Sequence, residues 1–223
     1  MYPYLIIMVV IVSIDCGSRN LAHCVYDSDN SILCEWRVSV LCSTRAPIAS
    51  LVKSAAAWAT ELYTRNPDIR FVYIEQQPVA NTRMKCLSHA IQAALLAHAP
   101  HVHLEFVSAR VTHGILGIGG NNRSYAARKQ AAVAWAARTI ASKAKEDATW
   151  GKWASFWATQ HKRDDLADSL AHLFASVERH GLKKWKSPVT HQQTRRQQHL
   201  PPREQSAEVE QGAQPLTEGT TVF

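Results

Sequence analysis

The sequence predicts an α/β fold on a mixed five-stranded sheet, three antiparallel strands followed by two parallel ones, flanked by helices. Three observations carry this. A near-continuous Ile/Val run, Tyr4 to Ile14, has the composition of a central strand covered on both faces, and it ends at Asp15-Cys16-Gly17. Two further strand patterns follow at hairpin spacing. Beyond them, helical periodicity alternates with short apolar runs, as it does when strands are joined by helical crossovers.

Leu21 to Tyr26 reads as the second strand and Asp27-Ser28-Asp29-Asn30 as a turn. Ile32, Cys34, Trp36, Val38 and Val40 then alternate with mostly polar neighbours as the third strand. Pro47 opens a helix in which Ile48, Leu51, Val52, Ala55, Ala59 and Leu62 recur at 3.6-residue spacing until Asn66-Pro67-Asp68 breaks it. Phe71 to Ile74 is a short buried strand. Met84, Leu87, Ile91, Ala94, Leu95 and His98 repeat helically up to Pro100, and Val102, Leu104 and Phe106 alternate as a fifth strand. The order is βββαβαβ. Gly114, Gly117, Gly119, Gly120, Asn121 and Asn122 predict a flexible loop, which leads into an alanine-rich helix. A last helix places Leu166, Leu170, Leu173, Phe174 and Val177 on one face and stops near His180-Gly181. With 223 residues and 46% apolar content, one such core is expected, over residues 1–186. Residues 187–223 are Gln/Pro-rich, lack apolar periodicity and are expected to be disordered.

The formal charge of +7 favours a polyanionic partner, and its distribution is more telling than its total. Between Pro78 and Lys145 there are nine basic residues, including Arg110, Arg128, Lys129 and Arg138, against one acidic residue, Glu105. Five cysteines without a CxxC pair argue against a disulfide framework and a zinc ribbon, and for a reducing intracellular compartment. The apolar run Tyr4 to Val12 is far short of the ~20 residues of a membrane-spanning helix, so no membrane is expected.

The chemistry lies in acidic residues at element ends: Asp15 after the first strand, Glu75 after the fourth, Asp165 and Asp168 on the final helix. Any one alone is most simply a solvated strand end or a helix N-terminal charge. Together they mean more. The first and fourth strands are expected to be sheet neighbours, so Asp15 and Glu75 share one edge, where α/β folds place their sites. Asp165 and Asp168 are i and i+3, on one helix face. Crowded carboxylates repel, so protons or hard cations must offset them, and oxygen ligands favour magnesium, with manganese able to substitute. Two such ions roughly 4 Å apart clamp a phosphodiester, which makes hydrolysis of nucleic acid the natural chemistry.

Three stretches carry a resemblance: Ser13-Ile14-Asp15-Cys16-Gly17-Ser18-Arg19-Asn20, Ile74-Glu75-Gln76-Gln77, and Lys162-Arg163-Asp164-Asp165-Leu166-Ala167-Asp168-Ser169. Running in this order from about Ile11 to Phe174, the chain resembles the poxvirus-type, RuvC-like Holliday junction resolvases. The resemblance implies a ribonuclease-H-like fold, a homodimer, and cleavage of branched DNA that resolves viral replication or recombination intermediates in an infected host cell. It implies that Asp15, Glu75, Asp165 and Asp168 are the metal-binding carboxylates and that Lys129 is the phosphate-contacting lysine, with Asp164 only a neighbour. The tryptophan-rich stretch and the long tail depart from the family pattern.

Trp150, Trp153 and Trp157 form a helical stripe that would either pack in the core or stack on unpaired bases, core packing being the simpler reading. The histidines lack a ligand spacing, and His161, just before the acidic motif, is the one placed to touch a scissile phosphate. The helix face from Leu87 to Leu95 is the expected dimer interface. Three other functions compete. A nuclease for RNA–DNA hybrids or flaps would keep every ligand; an actin-like nucleotide-binding enzyme would need a second glycine-rich phosphate loop; a non-catalytic DNA-binding module has no use for converging carboxylates.

Overall fold

The computed structural model describes residues 9–118 and 124–182. The strands are β1 (Val10–Asp15), β2 (Leu21–Asp27), β3 (Ile32–Ser39), β4 (Ile69–Glu75) and β5 (His103–Val107). They form one sheet in the order β3-β2-β1-β4-β5. β1, β2 and β3 pair antiparallel, while β1 with β4 and β4 with β5 pair parallel. This is the expected mixed sheet. The helices are α1 (Ile48–Arg65), α2 (Thr82–His98), α3 (Ala109–Ile115), α4 (Tyr125–Glu146), α5 (Gly151–Thr159) and α6 (Asp164–Arg179), with a 3-10 turn at Ala148–Trp150 before α5. The expected tail, residues 4–8 of the first apolar run, and positions 119–122 of the expected glycine loop lie outside the described residues.

β1 is buried along its whole length because each face has its own helical layer. Val10, Val12 and Ile14 pack with Leu51, Ala55, Ala59 and Leu62 of α1 and with Leu87, Ile91 and Leu95 of α2. Ile11 points the other way, into a core shared with α4, α5 and α6. β4 divides in the same manner: Val72 and Ile74 join the α1–α2 layer, and Tyr73 joins the α6 layer. The two-residue period of a strand makes this a strict rule of odd and even positions.

α6 lies directly on β1 and β2, and small residues let it approach. Ser13 Oγ donates to the Ser169 carbonyl at 2.9 Å, and Ser169 Oγ donates to the Leu166 carbonyl at 2.9 Å. Trp36 Nε1, reaching over from β3, donates to the same Leu166 carbonyl at 3.1 Å and lies 3.3 Å from Ser169 Oγ. The Trp36 ring stacks on Trp157 with centroids 5.3 Å apart, and Trp153 meets it edge-on at 6.2 Å. Trp150 is buried and stacks on Phe174 at 6.0 Å. The tryptophan stripe is therefore core, and its helix buries β3 and α6.

Three expectations are corrected. Gly114 does not open a loop: it sits inside α3, a seven-residue helix held to α6 by a buried 2.8 Å contact between Thr112 Oγ1 and His172 Nδ1. Two turns are too short to show periodicity, so tertiary packing decides the helix. The face of Leu87, Ile91 and Leu95 is no free interface, because those side chains are buried against the chain's own α1 and sheet. Val40 lies beyond the end of β3, at Ser39. The five cysteines are all free.

Because Trp36 both fills the α5–α6 core and bonds the backbone beside Asp165, Trp36→Ala should lower the unfolding free energy by about 3–5 kcal/mol. Trp36→Phe should lose about 1–3 kcal/mol, the buried carbonyl losing a donor. Urea denaturation followed by tryptophan fluorescence measures both, and equal stability of all three proteins would show that α6 is held some other way.

Candidate active site

Strand parity decides which side chains meet. Asp15 continues the odd positions Ile11 and Ser13, and Glu75 continues Phe71 and Tyr73, so both face α6. Ile14 is aligned with Ile74 across the parallel β1–β4 pair, which sets Asp15 and Glu75 side by side at the carboxyl edge. α6 enters over this edge with Asp164 and Asp165 in its first turn and Asp168 one turn on. Asp15 and Asp165 are each only 9% exposed. Three chain segments far apart in sequence thus deliver four carboxylates to one place.

The electrostatics record the crowding. Burial first, then the charge and hydrogen bond of Glu75, then the charges of Asp168 and Asp165, push the Asp15 carboxyl well above the ordinary range. Gln77 Nε2 donates to Glu75 Oε2 at 2.9 Å and fixes that side chain. Beside the cluster, burial pushes the pKa of the His172 imidazole down, against the opposing charges of Glu75 and Asp168. His113 of α3 stands at the edge, its Nε2 3.9 Å from Asp168 Oδ1.

Two lysines enter the cluster. Lys129 of α4 brings its Nζ to 2.7 Å from Asp164 Oδ2, 3.6 Å from Asp165 Oδ1 and 3.8 Å from Asp168 Oδ2. Burial alone would lower its pKa, but the Asp164 hydrogen bond and the three negative charges outweigh that and raise it. Burial would likewise raise Asp164, and the same ammonium lowers it instead. Lys162, just ahead of α6, places Nζ 2.7 Å from Asp165 Oδ2.

Among the described residues no three His, Cys, Asp or Glu side chains already form a cage for a metal ion. The donor chemistry nevertheless fits a hard divalent cation. The cluster offers only carboxylate oxygens, and the strain on Asp15 is one that a bound positive charge would relieve.

The expected residues Asp15, Glu75, Asp165, Asp168 and Lys129 are therefore brought together. His161 is not: it is exposed, with no polar partner among the described residues. Asp164 is more than a neighbour, being the nearest carboxylate to Lys129. Sequence reasoning passed over Lys162, whose i,i+3 spacing to Asp165 is a helix-face signal. It also passed over Gln77 and His113; the latter depends on a helix that leaves no periodic trace.

Comparison with known proteins agrees with this architecture. Residues 9–177 match the family model described as Poxvirus A22 protein. No curated protein matches the chain. Among solved structures, Thermus thermophilus RuvC is similar with a TM-score of 0.52 at 17% identity, over 78% of this chain and 97% of that one. T. thermophilus RuvC in complex with Holliday junction substrate is similar with a TM-score of 0.52 at 16% identity, over 78% and 97%. At such identities the likeness establishes the ribonuclease-H-like fold. The match to the family model, which spans most of the chain, establishes more: this chain belongs to the poxvirus A22 protein family of Holliday junction resolvases, nucleases that hydrolyse DNA.

Proposed function

We propose that the chain cuts four-way and other branched DNA with a divalent-cation centre held by Asp15, Glu75, Asp165 and Asp168, magnesium being the natural ion, manganese a substitute, and two ions the number that the donor set suits. The observation that carries this is the convergence of four carboxylates on one sheet edge, where burial first and then the neighbouring carboxylates push the Asp15 carboxyl above its ordinary range. When bound, the cations would neutralise charge on the phosphodiester and lower the pKa of water enough for it to lose a proton and become a nucleophile near neutral pH. The protein's own part is positional. Asp15 and Glu75 are fixed by neighbouring strands and Asp165 and Asp168 by a buried helix, so the donors need little reorganisation. Lys129, anchored by Asp164, orients the phosphate and stabilises its charge.

The branched substrate follows from the family, and the solved relative that holds a Holliday junction supports it. A poxvirus family places the work in an infected host cell. No helix among the described residues is long and apolar enough to cross a membrane.

Asp15→Asn and Glu75→Gln should each abolish cleavage of a synthetic four-way junction while leaving junction binding intact or tighter, because each removes a cation ligand and a negative charge near phosphates. Junction, hybrid and duplex substrates assayed in parallel with magnesium measure this. Near-normal turnover by either pure variant would sink the assignment.

Lys129→Ala should weaken junction binding or turnover and make the salt dependence shallower by about one, as expected when one phosphate contact and its counterion release are lost. Fluorescence anisotropy across a salt series provides the reading; an unchanged affinity, rate and slope would make Lys129 a purely internal counter-charge.

The active species is proposed to be a homodimer. A four-way junction yields separable duplexes only when two opposed strands are cut, one carboxylate set holds one phosphodiester at a time, and a two-fold dimer matches the junction's own symmetry. On a supercoiled cruciform plasmid, coupled cuts should give linear product directly. A monomer in sedimentation on the junction, with nicked circles as the lasting product, would refute the dimer.

A further inference from the structure

Lys162 lies between α5 and α6, three residues ahead of Asp165, and the cation centre proposed above assigns it no task. Its Nζ sits 2.7 Å from Asp165 Oδ2, on the oxygen opposite the one that Lys129 approaches. The same ammonium lies 2.6 Å from the end of the Asn20 side chain, and it finds an acceptor there when the Asn20 amide is turned so that its oxygen faces Lys162 and its nitrogen donates to the Arg19 carbonyl at 2.9 Å, the orientation that satisfies both groups. A lysine whose side chain is 55% exposed ordinarily samples many rotamers, and here two acceptors from separate segments fix its head.

Both supports are themselves constrained. Next to Lys162, Arg163 donates to the carbonyls of Gln160 at 2.9 Å and Ala158 at 3.0 Å, and its guanidinium lies 5.6 Å from the Trp157 ring centroid. Of the two adjacent cations, Arg163 thus ties down the connection and Lys162 faces the site. Asn20 ends the turn that follows Asp15. That turn requires Gly17, since a Cβ there would stand 2.7 Å from the Asn20 carbonyl oxygen.

We infer that Lys162, aimed by Asn20, is an exchangeable counter-charge: it screens Asp165 until a divalent cation takes that carboxylate, and then contacts a backbone phosphate of the bound junction strand. The inference rests on the cation-centre reading. A cation binding Asp165 must compete with an ammonium already at hydrogen-bond distance from one of its oxygens, because the two positive charges repel. Once displaced, the ammonium is still held by Asn20 at the rim of the site, where a polyanion arrives. Lys129 behaves differently. Its nearest carboxylate is Asp164, outside the proposed cation set, so it keeps a partner when the cation binds.

Full-length protein and its Lys162→Met, Lys162→Arg and Asn20→Ala variants test this with two readouts. The first is a magnesium titration without DNA, followed by thermal shift. Removing the competing ammonium in Lys162→Met should lower the magnesium midpoint roughly two- to fivefold, the scale of an exposed ion pair. The second is steady-state cleavage of a four-way junction at saturating magnesium. There Lys162→Met should raise KM about tenfold with a smaller change in kcat, and the salt dependence of KM should become shallower by about one. Lys162→Arg should restore most of KM, and Asn20→Ala should raise KM in the same direction. Should Lys162→Met not melt cooperatively, Asn20→Ala carries the KM test with the charge intact. If Asp15→Asn cleaves normally, the cation-centre reading fails and this inference with it. If Asp15→Asn is inert while Lys162→Met keeps the magnesium midpoint, KM and salt slope of the unsubstituted chain, the role given to Lys162 alone is overturned.

Discussion

Like charges held within one another's field repel, and the rest of this structure is arranged around carrying that load. Asp15 bears it most heavily, being buried and next to Glu75, with Asp165 and Asp168 adding to the same field. A surface loop under such repulsion would move apart. Here the carboxylates cannot separate, because each is attached to an element locked by neutral interactions. Ser13 holds the Ser169 carbonyl, and Trp36 and Ser169 hold that of Leu166. Such buried neutral hydrogen bonds contribute about 1 kcal/mol each, and the aromatic packing of Trp36 on Trp157 adds to them. The core thus offsets an electrostatic cost at the edge, as expected where a local rule is broken for function.

Parity turns this scaffold into a site. Residues 10, 12 and 14 of β1 belong to the α1–α2 layer, so residue 15 must belong to the α6 layer; residues 72 and 74 of β4 fix residue 75 in the same way. A shift of one residue in either strand would send its carboxylate to the opposite face, away from Asp165 and Asp168. The Val and Ile side chains of the α1–α2 layer, remote from any chemistry, therefore decide which side chains meet. The first turn of α6 adds a contribution of its own, since Asp164 and Asp165 sit where the helix dipole favours negative charge.

Much of this was legible in the residues. The unbroken apolar character of β1 marked a strand covered on both sides, and the acidic positions at strand ends and at i, i+3 on α6 marked the carboxylates that the fold brings together, because burial and period leave direct traces in sequence. What escaped has a common cause: it depends on contacts between segments distant along the chain. α3 is two turns long and exists through its contact with His172 across 60 positions. The Leu87, Ile91 and Leu95 face looked available because an amphipathic stripe says that a helix is covered without saying by what, and α1 covers it. The Trp150, Trp153 and Trp157 stripe was ambiguous for the same reason until Trp36 and Phe174 supplied its partners.

The net charge of the chain also takes on a different meaning once it is placed. Near the sheet edge, Asp15, Glu75, Asp164, Asp165 and Asp168 face Lys129 and Lys162, so the centre itself is locally negative although the whole chain carries +7. A phosphodiester is repelled from such a centre unless cations are present. Attraction of DNA must therefore come from basic residues elsewhere, acting over the roughly 8–10 Å within which charge survives physiological salt. On the function proposed above, the bulk charge would serve encounter and the local charge chemistry, with a cation as the link between them. With the cation centre proposed above, a DNA strand held near by basic residues would meet a negative edge until cations offset its charge. The two lysines lower that repulsion only in part and from different positions: Lys162 sits on Asp165, which the proposed cation centre needs, whereas Lys129 sits closest to Asp164, which it does not.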